Sequence, residues 1–125
     1  MKIGVPRETC AGETRVASTP EVVKKLVKTG FKVLVEAGAG IASHYPDEQY
    51  REAGAEIVDR ATAFAVDILL KVRKPDADEV AAMRAGGIYL GYVETCGEDE
   101  IIGAMVRKDI RVMAVERIPR ISRAQ

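Results

Sequence analysis

Tryptophan is absent from the chain, histidine occurs once, cysteine occurs twice, and the 19 acidic side chains are matched by 19 basic ones. Each shortage removes a class of function. His44 has no evident nucleophile or orienting acid, so no catalytic triad can be built around it, and it is expected as a surface residue of a loop. Cys10 and Cys96 share no CxxC spacing and no histidine company. Neither a zinc site nor a disulfide framework is expected, and a reducing, cytoplasmic setting fits. With charge in balance, no global field draws the protein to nucleic acid or to an anionic membrane, and any anion site must be local. No run approaches about eighteen uncharged apolar residues, and the opening "MKIGVPRETC" has no apolar h-region, so neither a membrane span nor export is predicted.

What is there suits a soluble core of Val, Ile, Leu and Ala: 47% of the 125 residues are hydrophobic and 30% charged. That length predicts one domain, residues 1–125, burying roughly two-thirds of its unfolded surface. Short apolar runs at 2–6, 32–36, 56–58, 68–72, 88–93 and 111–116 read as six strands, most of them apolar on both faces, as parallel strands covered on both sides are. Between the first two, "STPEVVKKLVKTG" offers Ser18 or Thr19 as N-cap, Pro20 at the first helical position, Val22, Val23, Leu26 and Val27 at helical spacing, and Gly30 as stop. Helices are also predicted within 46–55, 61–66, 76–87 and 97–109, the last two with acidic starts and basic ends. Strand and helix alternate, which predicts an α/β fold: a doubly wound, mostly parallel sheet of about six strands with helices on both faces.

Ligands of such sheets bind beyond the carboxyl ends of the strands. The stretch Gly38-Ala-Gly40-Ile-Ala-Ser43 resembles a dinucleotide fingerprint only superficially: Ser43 stands where the third glycine belongs, Pro46 intervenes before any helix, and the preceding strand is the second. A tight turn of small residues is the better reading. Lys71 interrupts a buried stripe one step before its strand ends, so its ammonium needs an anion: Asp67, a loop carboxylate, or the carboxylate or phosphate of a ligand. Arg15, after the first strand, is placed to meet Lys71 over the sheet edge. Glu8, Glu13 and Glu94 are candidate partners for the two cations. Arg117, Arg120 and Arg123 recur at three-residue spacing around Pro119; in an extended polyproline-like segment they share one side, where guanidinium forks bind phosphate or carboxylate.

Taken in order, "MKIGVPRET", "ETRVASTPEVVKKLVKTGFKVLVEAGAG", "AGAEIV", "ILLKV" and "PRISRAQ" resemble the amino-terminal part of the alpha subunit of the proton-translocating NAD(P) transhydrogenases, a family related to alanine dehydrogenase. The likeness covers essentially the whole chain, and "PRISRAQ" belongs to the transhydrogenase side. It implies a Rossmann-like first domain of a two-domain NAD(H)-binding component, with the glycine fingerprint in a second domain that this sequence does not contain. It also implies that the arginine-rich segment is part of a loop continuing past Gln125. By the same resemblance Arg120 and Gln125, with Ser122 and Arg123 beside them, bind the NAD(H) cofactor across the cleft. Arg15 and Lys71 match the positions that grip the substrate carboxylate in alanine dehydrogenase. Where that enzyme has its catalytic histidine, this chain has Glu94, whose charge would repel a substrate carboxylate.

The resemblance further implies NADP(H) on a partner component, a membrane component that couples hydride transfer to proton translocation, a homodimer, and a location peripheral to a membrane complex. No residue of the chain is assigned as catalytic and none as a metal ligand. An alanine-dehydrogenase-like oxidoreductase fragment and a non-catalytic scaffold or dimerisation module stand as alternatives.

Overall fold

The computed structural model describes residues 1–9, 12–91 and 100–114, with the side chain of Ala114 excluded. Six strands form one sheet: β1 (Lys2–Val5), β2 (Lys32–Glu36), β3 (Glu56–Val58), β4 (Ile68–Lys71), β5 (Ile88–Gly91) and β6 (Arg111–Ala114). Their spatial order is β3-β2-β1-β4-β5-β6, and every neighbouring pair is parallel. The chain winds outward from β1 to one edge, returns to the centre, and winds to the other. Predicted cores of β2 and β3 match residue for residue, while Pro6 and Val72 fall just beyond the ends of β1 and β4. A proline has no N–H for the ladder, which accounts for the first.

Helices α1 (Pro20–Thr29) and α2 (Asp47–Glu52) lie on one face; α3 (Arg60–Phe64), α4 (Ala77–Ala82) and α5 (Glu100–Arg107) lie on the other. Side-chain alternation along the strands sorts the core into two clusters. Ile3, Val5, Val33 and Val35 pack with Val23 of α1 and Tyr50 of α2. Leu34 and Leu69 pack with Phe64, Val80, Tyr89 and Met105. Two-faced coverage makes this a Rossmann-like doubly wound fold.

Local signals set the ends of α1. The Thr19 hydroxyl caps the amide of Val22, Pro20 occupies the first turn, and Gly30 closes the helix at φ 111°, a left-handed conformation that favours glycine. Val22 lies exposed outside the buried stripe of this helix. Helix α4 starts with a capping box between Asp76 and Glu79 but has no basic residue in its last turn, because it stops at Ala82, before Arg84. The expected dipole pairing holds for α5, with Glu100 at its start and Arg107 at its end.

Candidate functional site

Between β1 and β4 the winding direction reverses, so the loops leaving their carboxyl ends diverge and open a crevice. The loop after β1 sends Glu8 across this point. Its Oε1 accepts from Lys71 Nζ at 3.0 Å and from the Arg73 amide at 3.1 Å, and its Oε2 accepts from the Val72 amide at 2.8 Å. Both side chains of the Glu8–Lys71 pair are only 2% exposed. The carboxylate thus stands in for the next strand residue as acceptor for the end of β4, which is what a buried charge needs to be tolerated.

Lys71 also lies 3.6 Å from Glu79 of α4. Glu79 pairs in turn with Arg60 of α3, and Arg60 donates to Glu36 at 2.9 Å while its guanidinium sits 4.9 Å over the Phe64 ring. Alternating charges therefore run Glu36, Arg60, Glu79, Lys71, Glu8 along the carboxyl edge of β2, β1 and β4. Among the expected partners of Lys71, the loop carboxylate is the one found; Asp67 instead accepts from the Lys2 amide and from Arg84. Glu36, Arg60 and Glu79 were not singled out from sequence. Glu36 carried the available signal, a charge closing an apolar strand as Lys71 does.

Arg15 folds onto Glu13, donating from its backbone N, its Nε and one terminal nitrogen, each at 2.9 Å. Arg73 Nε reaches the same carboxylate at 2.8 Å. The Arg15 guanidinium, with help from Arg73, holds the Glu13 carboxyl well below the ordinary carboxylate range, against the opposing effect of burial. Arg15 and Lys71 both border one cavity of about 410 Å³ at the carboxyl edge of β4 and β5, with Val16, Ala17, Leu70, Val72 and Leu90, although the Lys71 ammonium is itself held by Glu8 and lies 3.6 Å from Glu79 of α4. Its lining is mostly apolar, a surface suited to a flat, partly apolar ligand. A larger cavity of about 520 Å³ on the opposite face is walled by Arg60, Phe64, Asp76, Asp78 and Glu79.

The two usual cradles for a dinucleotide pyrophosphate are otherwise occupied. At the start of α1 the Thr19 side chain caps the helix, Pro20 has no N–H to offer, and Glu21 adds negative charge. After β2, the Gly38 amide donates to Asp47 Oδ1 at 2.9 Å and residues Ile41–Ser43 form a short 3₁₀ turn, as expected of small residues rather than a phosphate loop. His44 caps that turn, exposed, at φ 67°. Neither of these two segments is built as a pyrophosphate cradle. Arg120, Ser122, Arg123 and Gln125, the residues implied for NAD(H), lie outside the described residues, as do Cys10, Glu94, Cys96 and Arg117. Among the described residues, no cluster of His, Cys, Asp or Glu is arranged to hold a metal, and no helix is long and apolar enough to cross a membrane.

Residues 4–125 match the family model described as alanine dehydrogenase/PNT, N-terminal domain. The NAD(P) transhydrogenase subunit alpha of Haemophilus influenzae is 40% identical over all of this chain, which spans 24% of that relative's length. A solved structure of transhydrogenase from Sinorhizobium meliloti superposes with a TM-score of 0.94 at 41% identity, covering 100% of this chain and 38% of that one. An L-alanine dehydrogenase structure superposes with a TM-score of 0.87 at 30% identity, covering 91% of this chain and 32% of that one.

Proposed function

The chain belongs to the alanine dehydrogenase/PNT N-terminal domain family, and from that premise we propose that it forms one wall of the NAD(H) cleft in the alpha subunit of an NAD(P) transhydrogenase. The observation that carries this reading is the fuller likeness to transhydrogenase, which extends over the whole chain, whereas the alanine dehydrogenase structure covers less of it at lower identity. Occupied phosphate cradles at α1 and after β2 support a division of labour, with a glycine fingerprint supplied by a second domain.

NAD(H), when bound, supplies or accepts the hydride. The residues of this chain then have to orient and to set charge. Leu70, Val72 and Leu90 offer an apolar surface that excludes water from one face of a ring, and Arg15 presents a guanidinium at the rim. Lys71, its charge compensated by Glu8 and Glu79, holds the loop after β1 against the end of β4 and has no need to move a proton. Direct hydride transfer asks nothing more of this wall, because positioning rather than acid or base chemistry sets its rate. Arg120, Ser122, Arg123 and Gln125 complete the proposed site from the chain end. NADP(H) on a partner component, proton translocation in a membrane component, a homodimer and a peripheral location complete the assembly.

A second reading, alanine dehydrogenase, is favoured by Arg15 and Lys71 bordering one cavity, since these are the positions that match that enzyme's carboxylate grip. Glu94, at the position matching that enzyme's histidine, speaks against it. The deciding experiment uses the complete subunit with its partner component, wild type and Arg120→Ala, assayed for NADH binding and for hydride transfer to an NADP⁺ analogue. Loss of transfer in the folded variant is expected. Alanine-dependent NADH formation would instead establish the second reading.

A further inference from the structure

Arg7 begins the loop after β1 with its backbone held on both sides: its N–H donates to Glu36 Oε1 at 2.8 Å, and its carbonyl accepts from Arg60 Nη1 at 3.2 Å. Its side chain is exposed, and among the described residues the guanidinium has no hydrogen-bond or ion-pair partner. The side chain runs over the turn after β2, with Cδ 4.0 Å from where a Cβ on Gly38 would stand. There it borders a cavity of about 380 Å³ that is also lined by Thr9, Gly38, Ala39, Ile41 and Ala42. The walls are fixed. Ser43 donates its hydroxyl to the Thr14 carbonyl, which ties the loop after β1 to the turn after β2. Behind that turn there is no slack, since a Cβ on Gly40 would come within 2.7 Å of both the Tyr45 carbonyl oxygen and Tyr50 Cε2. Glu8 and Glu13 reach the same cavity, but each has cations of its own: Lys71 for Glu8, Arg15 and Arg73 for Glu13. Glu36 is likewise paired, with Arg60. Arg7 is thus a cation with an anchored backbone and no carboxylate of its own, at the edge of the sheet where ligands bind.

We propose that Arg7 is the anchor of an oxyanion subsite in this cavity, one that takes a phosphate group. A guanidinium fork offers two parallel N–H donors to such a group, and the exposed Thr9 hydroxyl offers a third, which suits the several terminal oxygens of a phosphate. The turn after β2 contributes shape rather than amides, because the Gly38 N–H is already given to Asp47. Small residues at 38, 39 and 42 leave room for the anion, and the exposed Ile41 supplies an apolar wall for whatever carries it. With the backbone of Arg7 already fixed, only its side chain has to be ordered on binding. The subsite does not depend on the cavity of Arg15 and Lys71 holding a nicotinamide.

The test follows phenylglyoxal labelling of Arg7 by mass spectrometry in the complete subunit, at constant ionic strength, as inorganic phosphate replaces potassium chloride. Labelling of Arg51, on the exposed side of α2, serves as the internal reference. Phosphate is expected to slow labelling of Arg7 at least about fivefold, half-maximally at roughly 1–10 mM, the scale of one charge-assisted fork, and to leave Arg51 unaffected. In parallel, phosphate should raise the thermal midpoint of the wild type above its value in chloride, Arg7→Lys should keep part of that rise, and Arg7→Ala should lose it. Both substitutions preserve the backbone contacts of residue 7, so the variants are expected to fold. A further arm replaces phosphate with NADH: protection of Arg7 there identifies the phosphate as the nucleotide's own, and continued reactivity identifies a separate phosphate ligand, either result being compatible with the subsite. The proposal is overturned if phosphate protects Arg7 no better than chloride, if Arg7→Ala keeps the full thermal rise, or if Arg7 is unreactive in chloride because another part of the subunit already covers it.

Discussion

Lys71 shows how a single residue type can declare a constraint without naming its solution. A lysine on a strand whose neighbours are all apolar must have an anion, and that much follows from alternation alone. Which anion is a matter of three dimensions, because Glu8 and Glu79 lie 63 residues before it and 8 residues after it in the chain and meet it only through the pairing of β1 with β4 and the docking of α4. Removing the cation leaves a carboxylate buried with two backbone amides as remaining partners. Lys71→Met should therefore cost about 3–5 kcal/mol of unfolding free energy in urea titration. Lys24→Met, on the exposed side of α1, should change it by less than about 0.5 kcal/mol. Comparable losses in the two would mean that the Glu8–Lys71 pair does not stabilise the crevice. Arg15 illustrates the opposite case, an exposed residue paired with a buried carboxylate two positions away.

Among the elements, β1 and α3 approach each other more closely than side chains permit. A Cβ placed on Gly4 would run into the carbonyl oxygen of Ala63 and come within 2.8 Å of Val66 Cγ2. The neighbour is largely backbone and cannot swing aside. Gly4→Ala should push α3 off the sheet and destabilise the fold by about 1–3 kcal/mol or more, measured by thermal or urea unfolding. Gly12, where a Cβ would meet nothing within 4 Å, adopts φ 81° and is limited by backbone conformation instead. Nothing in "KIGVP" distinguishes Gly4 from a tolerated strand glycine, since the reason for it sits on a helix some sixty residues later. The caps were a different matter: Thr19, Pro20 and Gly30 act on amides and carbonyls within four residues of themselves, and their roles were readable from order alone.

Across the whole molecule, titration links these local arrangements to stability. Glu13 is held well below its ordinary range chiefly by Arg15, Asp67 is lowered chiefly by the Lys2 amide, and Asp59 is lowered by capping Thr62. In each case the folded-state value is depressed, so the stabilisation is present above the unfolded value and is lost as pH falls. The urea midpoint is expected to decline from about pH 5 downward, and Glu13→Gln should flatten that slope. Tyr50 behaves oppositely. Burial pushes its phenol up to about 12 from an ordinary value of 10.0, and its hydroxyl donates to the Ser18 carbonyl at 2.7 Å. Its contribution is complete below pH 10 and falls away as pH rises toward 12. Tyr50→Phe should remove that alkaline dependence; a wild-type midpoint that stays flat through this window would show that Tyr50 ionises as freely in the fold as in the unfolded chain.

Strand positions, helix caps, two-faced hydrophobic patterning and the doubly wound class were legible in order and composition, because each depends on interactions between residues a few places apart or on a period repeated along one element. The need for a local anion at Lys71, and the poor fit of Gly38 to Ser43 as a phosphate loop, were legible for the same reason. The alternating charges from Glu36 to Glu8, the choice of Glu8 over Asp67, the burial of Glu13 beneath Arg15 and Arg73, and the closeness of Gly4 to α3 were not. Those depend on which strands become neighbours and on how helices settle over them. Distant residues acquire a common dielectric and a common geometry only after the sheet has been assembled.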